Sequence, residues 1–378
     1  MVDSAIGLVF RAGERRCGWR IFIRGAISHR GLMSTETRRT KHEIAWSTRS
    51  RTGSLMGVQI IGLGSAVPTQ RVRNEDLAAL GYDAQWILQR SGIQERRHAP
   101  PGVATSDLAA EAAKVCLARS LVPPRDIDLV LVGTYTPDMP LPSTACLVQD
   151  RLGIQAPAMD LHAACAGFVF GLITGAQFVA SGCSRYVLVI GADCNSRVVN
   201  PADRRTFPLF GDAAGAAILA PGSARQGLLA YAFGSDGSGA DLLCQRMGGT
   251  RLPFRADPSA DGLYFLHMEG RAIFKWAVRV LKDTVAEVLR IARCGLADVD
   301  LVVFHQANLR IIDAAVEELG LDRAKVYNNL QRYGNTAAAS IPLALDEAFQ
   351  EGRIEPGSRV LMSGFGAGLT WGTALVQW

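Results

Sequence analysis

From residue 58 onward, short uninterrupted apolar runs alternate with polar-capped segments. The apolar runs at 58–64, 126–134, 156–159, 185–191 and 210–219 predict strands. Runs without alternation are those of strands buried on both faces, the habit of largely parallel sheets. Between them, Asn74 stands before Glu75-Asp76-Leu77, and Trp86-Ile87-Leu88-Gln89-Arg90 stops at Gly92. Ser106 precedes a helical stretch from Asp107 to about Arg119, with Pro123-Pro124 after it, and Ser143 begins another through Leu152. Each carries a helix start or stop signal. The stretch from Gly167 to about Ala180 is apolar on several faces and closes at Ser181-Gly182, so it predicts a helix buried inside its domain.

The pattern then repeats. Residues 298–305 echo 126–133 at a displacement of 172, and 358–364 echo the segment that starts at Ser184 at a displacement of 174. A strand–turn–helix with Asn335 stands in the place of Cys165, displaced by 170. Three echoes at nearly one offset predict an internal duplication of a βαβ-rich unit, two pseudo-symmetric halves sharing one site. The expected organisation is 57–222 for the first half and 223–378 for the second, the boundary lying near Pro221-Gly222-Ser223.

Residues 1–56 lack this periodicity. They hold eleven Arg or Lys against four acids, +7 of a total of +5, which leaves the rest at −2. This basic extension is expected to be disordered or not native, with translation beginning at Met56 or, alternatively, as an organelle targeting segment. A body of net charge −2 is not a nucleic-acid binder by charge. The eight cysteines form no C-x-x-C pair, which argues against a zinc or disulfide framework; no metal site is expected, and reduced thiols point to the cytoplasm. No apolar run has the length of a membrane span. Gly62-x-Gly64 lacks the third glycine of a dinucleotide turn, and Val67-Pro68 intervenes before any helix.

The chemistry gathers around Asp160-Leu161-His162-Ala163-Ala164-Cys165-Ala166-Gly167-Phe168. Cys165 sits where a strand hands over to a buried helix, and unpaired N–H groups there favour a thiolate. A core cysteine is the alternative. From the second half, His305 ends a buried strand and Asn335 begins a helix; together with Cys165 they supply a nucleophile and two neutral donors. The same set suits either a protease-like pair or thioester chemistry. Read alone, His305 is equally a structural strand-end residue and Asn335 an ordinary N-cap. Gly364-Phe365-Gly366-Ala367-Gly368 can bring backbone N–H groups close to Cys165, or be only a tight turn.

Three motifs go further: Ala163-Ala164-Cys165-Ala166-Gly167-Phe168, His305-Gln306-Ala307-Asn308-Leu309-Arg310-Ile311-Ile312 and Gly334-Asn335-Thr336-Ala337-Ala338-Ala339-Ser340-Ile341-Pro342. With the segment from Trp86 to Ile93, that from Phe210 to Ala216 and the terminal Leu369-Thr370-Trp371-Gly372, they closely resemble the β-ketoacyl-acyl-carrier-protein synthase III family from about Val58 to Trp378. The resemblance implies an α/β thiolase fold, a duplicated five-layered αβαβα core. It implies Cys165 as the acyl-accepting nucleophile, with His305 and Asn335 promoting decarboxylation of a malonyl group on acyl carrier protein. It also implies an oxyanion hole from the Cys165 and Ala367 backbone N–H groups.

Coenzyme A would enter as a thioester substrate, with no permanently bound cofactor. Its adenine would lie between Trp86 and Arg204, its phosphates at Arg90 and its pantetheine at Asn308. The acidic carrier protein would dock on Lys275 and Arg310, with Arg271 and Arg279 as neighbours at helical spacing. A homodimer is implied too. Leu141 stands where the family often has a large aromatic, and the segment 234–267 is longer than in short members. Both leave open a related condensing enzyme of a dedicated pathway, such as polyketide priming or biotin precursor synthesis.

Overall fold

The computed structural model describes residues 49–256 and 261–378, all within one unit, Trp46–Trp378. Two five-stranded mixed sheets carry it. The first joins β2 (Val58–Ala66), β5 (Leu129–Gly133), β6 (Ala158–Leu161), β7 (Val187–Asp193) and β8 (Ala213–Pro221) in the order β2-β8-β7-β5-β6. The second joins β1 (Arg51–Met56), β9 (Gly227–Ser235), β12 (Leu301–Phe304), β13 (Arg359–Gly366) and β14 (Thr370–Gln377) in the order β1-β9-β14-β13-β12. Two short pairs lie outside them: β3 (Arg71–Arg73) with β4 (Glu95–Arg97), and β10 (Leu243–Gln245) with β11 (Leu266–Met268).

The duplication predicted from the offsets is visible strand by strand. β2 is antiparallel to β8 and β8 to β7, while β7 is parallel to β5. In the second sheet β9 is antiparallel to β14 and β14 to β13, while β13 is parallel to β12. Even the outer parallel strand β6 has a vestige, a single parallel bridge between Val302 and Val326.

Side-chain alternation then sorts residues into layers, because successive residues of a strand face opposite sides. Leu129 and Leu131 of the first sheet join Leu301, Val303 and Val360 of the second around two central helices, α4 (Gly167–Ala180) and α9 (Ser340–Gln350). Val130 and Val132 face outward onto α2 (Thr105–Ser120) and α3 (Thr144–Arg151). On the far side Val302 and Phe304 face α6 (Gly270–Ala292) and α7 (Leu309–Leu319). The five layers are therefore helix, sheet, helix, sheet, helix. As its all-round apolarity predicts, α4 is enclosed: Phe168, Val169, Leu172 and Ile173 are buried. Three short helices, α1 (Ala84–Ser91), α5 (Asp261–Tyr264) and α8 (Leu330–Tyr333), lie between these elements.

Local readings are corrected in three places. Arg51–Met56, assigned by sequence to a disordered extension ending at residue 56, is the edge strand β1, antiparallel to β9. Its strand character comes from pairing rather than from periodicity; Leu55 packs on the central core and Ser50 Oγ accepts the indole N–H of Trp371 at 2.9 Å. The rest of that expectation, residues 1–48, lies outside the described residues. Ser106 is inside α2 and donates to Asp138, so it does not cap; Asp107 instead accepts the N–H of Ala104. Asn74 does not cap either, and spends its amide on Ile93 O and the guanidinium of Arg96.

Candidate active site

Two matching turns bring the chemistry together. Ala164–Ala166, a single 3₁₀ turn, leads into α4; Ala337–Ala339, another, leads into α9. Each begins with an alanine in the left-handed region, Ala164 at φ 46° and Ala337 at φ 49°. Non-glycine residues rarely sit there, and the repeated strain marks a constrained site in both halves. The strict partner of Cys165 is therefore Ala338, with Asn335 three residues before it.

Cys165 and Asn335 are each 7% exposed, and His305 1%. All three line one cavity of about 1230 Å³. His305 leaves β12 held by its N–H to Ser363 O at 2.8 Å, and its ring meets Phe365 edge-on at 5.3 Å. Its Nδ1 lies 2.6 Å from Ser340 Oγ, at the start of α9. With Nδ1 engaged, Nε2 is the ring atom left for a ligand. Asn335 is fixed in the same way: its Oδ1 accepts the N–H of Ala337 at 2.9 Å, so the amide keeps its Nδ2 donor free. Its backbone is clamped on both sides, donating to Leu209 O and accepting from Gly211.

Burial dominates the electrostatics. It pushes the His305 imidazole down to about 3, so the ring is neutral at ordinary pH. Burial, and then the nearby charge of Asp193, raise the Cys165 thiol well above its usual range, while its own backbone N–H acts in the opposite sense. The thiolate expected from the helix terminus is thus outweighed, and the resting group is a thiol. Gly366 closes the site from β13: a methyl there would lie 2.7 Å from Cys165 N. Ala367 follows it on the cavity wall and its carbonyl accepts Thr370 Oγ1 at 2.9 Å.

Trp86, Arg90, Arg204 and Asn308 all line the same cavity. Arg90 lies over the Trp86 ring at 5.4 Å, and Arg204 reaches toward Gly81. Asn308 has a double task, capping α7 through the Arg310 N–H and donating to Arg90 O at 3.2 Å. Of the basic set, Arg271, Lys275 and Arg310 line the cavity; Arg279 is on the same helix as Lys275, beyond the lining, and pairs with Asp283 at 3.6 Å. Among the described residues no three His, Cys, Asp or Glu are grouped to hold a metal, and no helix is long and apolar enough to cross a membrane.

Sequence reasoning passed over Asp193, Tyr135, Asn195 and Ser340. Asp193 is wholly buried at the end of β7 and accepts from Thr134, Tyr135 and Thr136 on one side and Ala338 N on the other. It so ties the loop after β5 to the turn that carries Asn335. An acid closing an apolar strand, Val187–Asp193, was the available signal. Burial raises this carboxyl to about 6 despite those donors.

The profile described as "3-Oxoacyl-[acyl-carrier-protein (ACP)] synthase III" matches residues 159–237, and that for its C terminal matches 289–378. A beta-ketoacyl-[acyl-carrier-protein] synthase III of Rhodopirellula baltica is 55% identical over 344 residues, covering 86% of this chain and all of the relative. The crystal structure of the Thermus thermophilus synthase III is 43% identical with a TM-score of 0.79, covering 84% of this chain and 98% of that one. A priming β-ketosynthase from the R1128 polyketide biosynthetic pathway is 36% identical with a TM-score of 0.79, covering 86% and 98%. By fold and sequence alike, the chain belongs to the β-ketoacyl-acyl-carrier-protein synthase III family of thiolase-fold acyltransferases.

Proposed function

We propose that Cys165, His305 and Asn335 carry the two half-reactions of this synthase within the one cavity. The observation that supports it most is the orientation of the two donors: Ser340 occupies His305 Nδ1, and Ala337 N–H occupies Asn335 Oδ1. With the Ser340 hydroxyl donating to Nδ1, both groups would offer N–H to the cavity that the Cys165 sulfur shares. In the first half-reaction Sγ attacks the carbonyl carbon of an acyl-CoA, the C–S bond to CoA breaks, and the cysteine proton passes to the departing CoA sulfur. The Cys165 and Ala367 backbone N–H groups would hold the tetrahedral oxyanion. Trp86, Arg90, Arg204 and Asn308 would hold the CoA.

In the second, a malonyl group on acyl carrier protein places its thioester oxygen between His305 and Asn335. The bond to the carboxylate breaks, CO₂ leaves, and the electron pair becomes an enolate on that oxygen. Its carbon attacks the acyl-cysteine, the C–S bond breaks, and Cys165 departs as thiolate and takes a proton from solvent, the one proton the half-reaction consumes. A neutral imidazole suits this work, since it donates to the enolate without competing for the carboxylate. Arg271, Lys275 and Arg310, which line the cavity, with Arg279 beyond, would receive the acidic carrier protein. A homodimer and a cytoplasmic setting complete the reading.

Intact-mass measurement after incubation with acyl-CoAs tests it. Acyl mass is expected on Cys165 and lost in Cys165→Ser, whereas His305→Ala spares acylation and depresses malonyl decarboxylation on the order of 100-fold, which is what a positioned donor supplies. Equal loss in both half-reactions would count against these roles.

A further inference from the structure

Arg96, on β4, is a cation with no place in the steps above. It is wholly buried, and among the described residues no carboxylate pairs with it. Its neighbour Glu95 pairs instead with Arg71 at 3.2 Å and reaches Arg97 at 3.9 Å. Burial lowers the guanidinium to about 10, which still leaves it charged at ordinary pH. A buried charge without a counter-ion is costly, and it persists where its hydrogen bonds hold something that an apolar side chain would not. Here they go to neutral oxygens on three other segments: Val72 O of β3 at 3.3 Å, Asn74 Oδ1 at 2.8 Å and Pro208 O at 2.7 Å.

Pro208 lies in the 3₁₀ turn Phe207–Leu209, and that turn is one jaw of the clamp on Asn335. The next carbonyl, Leu209 O, accepts the Asn335 N–H at 2.8 Å; Gly211 N–H donates to Asn335 O at 3.0 Å; and Phe210 and Asn335 form a parallel bridge. The stem of Arg96 backs this clamp: a methyl on Gly211 would lie 3.1 Å from its Cβ, and one on Gly334 3.4 Å from it. We propose that Arg96 is a positioning residue for the second half-reaction: by holding Pro208 O it fixes the turn to which Asn335 is clamped, and so where the Asn335 amide meets the malonyl thioester. This rests on Asn335 being a donor in that half-reaction. Cys165 and His305 are held elsewhere, the first against Gly366 of β13 and the second by Ser363 O and Ser340 Oγ. Loading of the cysteine therefore does not depend on this tether.

The test separates the half-reactions in Arg96→Met, which keeps much of the stem and removes the donors, and in Arg96→Lys, which keeps a cation able to reach one oxygen. Acylation of Cys165 is followed by intact mass, CO₂ release from malonyl-carrier protein is followed with enzyme already acylated, and circular dichroism reports the fold. Arg96→Met is expected to lower kcat for CO₂ release by about tenfold or more, the scale of a displaced catalytic group, and to change acylation by less than about threefold. Arg96→Lys recovers part of that loss, and carries the comparison alone if the methionine variant does not fold. In an Asn335→Ala background, Arg96→Met is expected to add less than about twofold, because a residue that acts through Asn335 has nothing left to position. Equal slowing of both half-reactions, native rates in the folded variants, or the full loss repeated on top of Asn335→Ala overturns the inference. Undiminished CO₂ release in Asn335→Ala alone would instead remove the role of Asn335 on which it rests.

Discussion

At the residue scale the site runs against the simplest expectation for a cysteine at a helix start. First-turn N–H groups favour its thiolate, but burial and Asp193 outweigh them, so Cys165 rests protonated. A protonated nucleophile is protected from stray alkylation and needs a thioester at hand to lose its proton. His305 is tuned the other way, to stay neutral, and Ser340 decides which nitrogen it presents. Ser340→Ala is expected to leave the ring free to take either tautomer and to lower malonyl decarboxylation about tenfold, the scale of a positioning hydrogen bond. Acylation of Cys165 should change far less. Comparable loss in the two half-reactions would show that Ser340 serves packing alone.

Among the elements, the long ones were readable and the short ones were not. The buried strands declare themselves because both faces are apolar, and α4 because its whole circumference is. Cys165, His305 and Asn335 were legible for the same reason, each being the polar residue at the edge of an apolar element. Asp193 and Tyr135 carry no such mark; their roles arise from contacts between segments 58 residues apart, which periodicity does not register. β1 was missed because six residues of which only Leu55 and Met56 are apolar become a strand only when β9 offers its edge. Where β7 meets the turn at Ala338, the fit is tight enough that a methyl on Gly191 would collide with the Ala338 carbonyl. Gly191→Ala is expected to cost about 1–3 kcal/mol in chemical denaturation, as overpacking does. A neutral effect would mean that this contact relaxes freely.

For the whole molecule, two buried titratable groups, His305 and Asp193, pull stability in opposite directions. The unfolded chain protonates His305 near pH ~6.5, while the native imidazole resists until about 3. That contribution to stability is lost as pH falls below the unfolded value. Asp193 is the reverse: its native carboxyl keeps a proton up to about 6, the unfolded one only to ~3.9. Its contribution is lost as pH rises through about 6. Between the two regimes the slopes offset. Asp193→Asn should expose the His305 slope, so that the variant loses stability relative to the native protein by about 1.4 kcal/mol per pH unit on acidification from ~6 to ~4.5. Urea unfolding at those two pH values measures it; a constant difference between the proteins would remove the linkage.

The seam between the halves is drawn in backbone. Besides Gly191 on Ala338, a methyl on Gly215 would lie 2.7 Å from Leu343 N and from Pro342 Cβ, and one on Gly366 2.7 Å from Cys165 N. Peptide groups have the same shape whatever side chains flank them. Chimaeras that exchange the residues after Pro221 between members of the family should therefore assemble wherever these glycines are kept, however far the remaining positions have drifted. A recipient with alanine at any of them would hold its nucleophile and its two donors out of register.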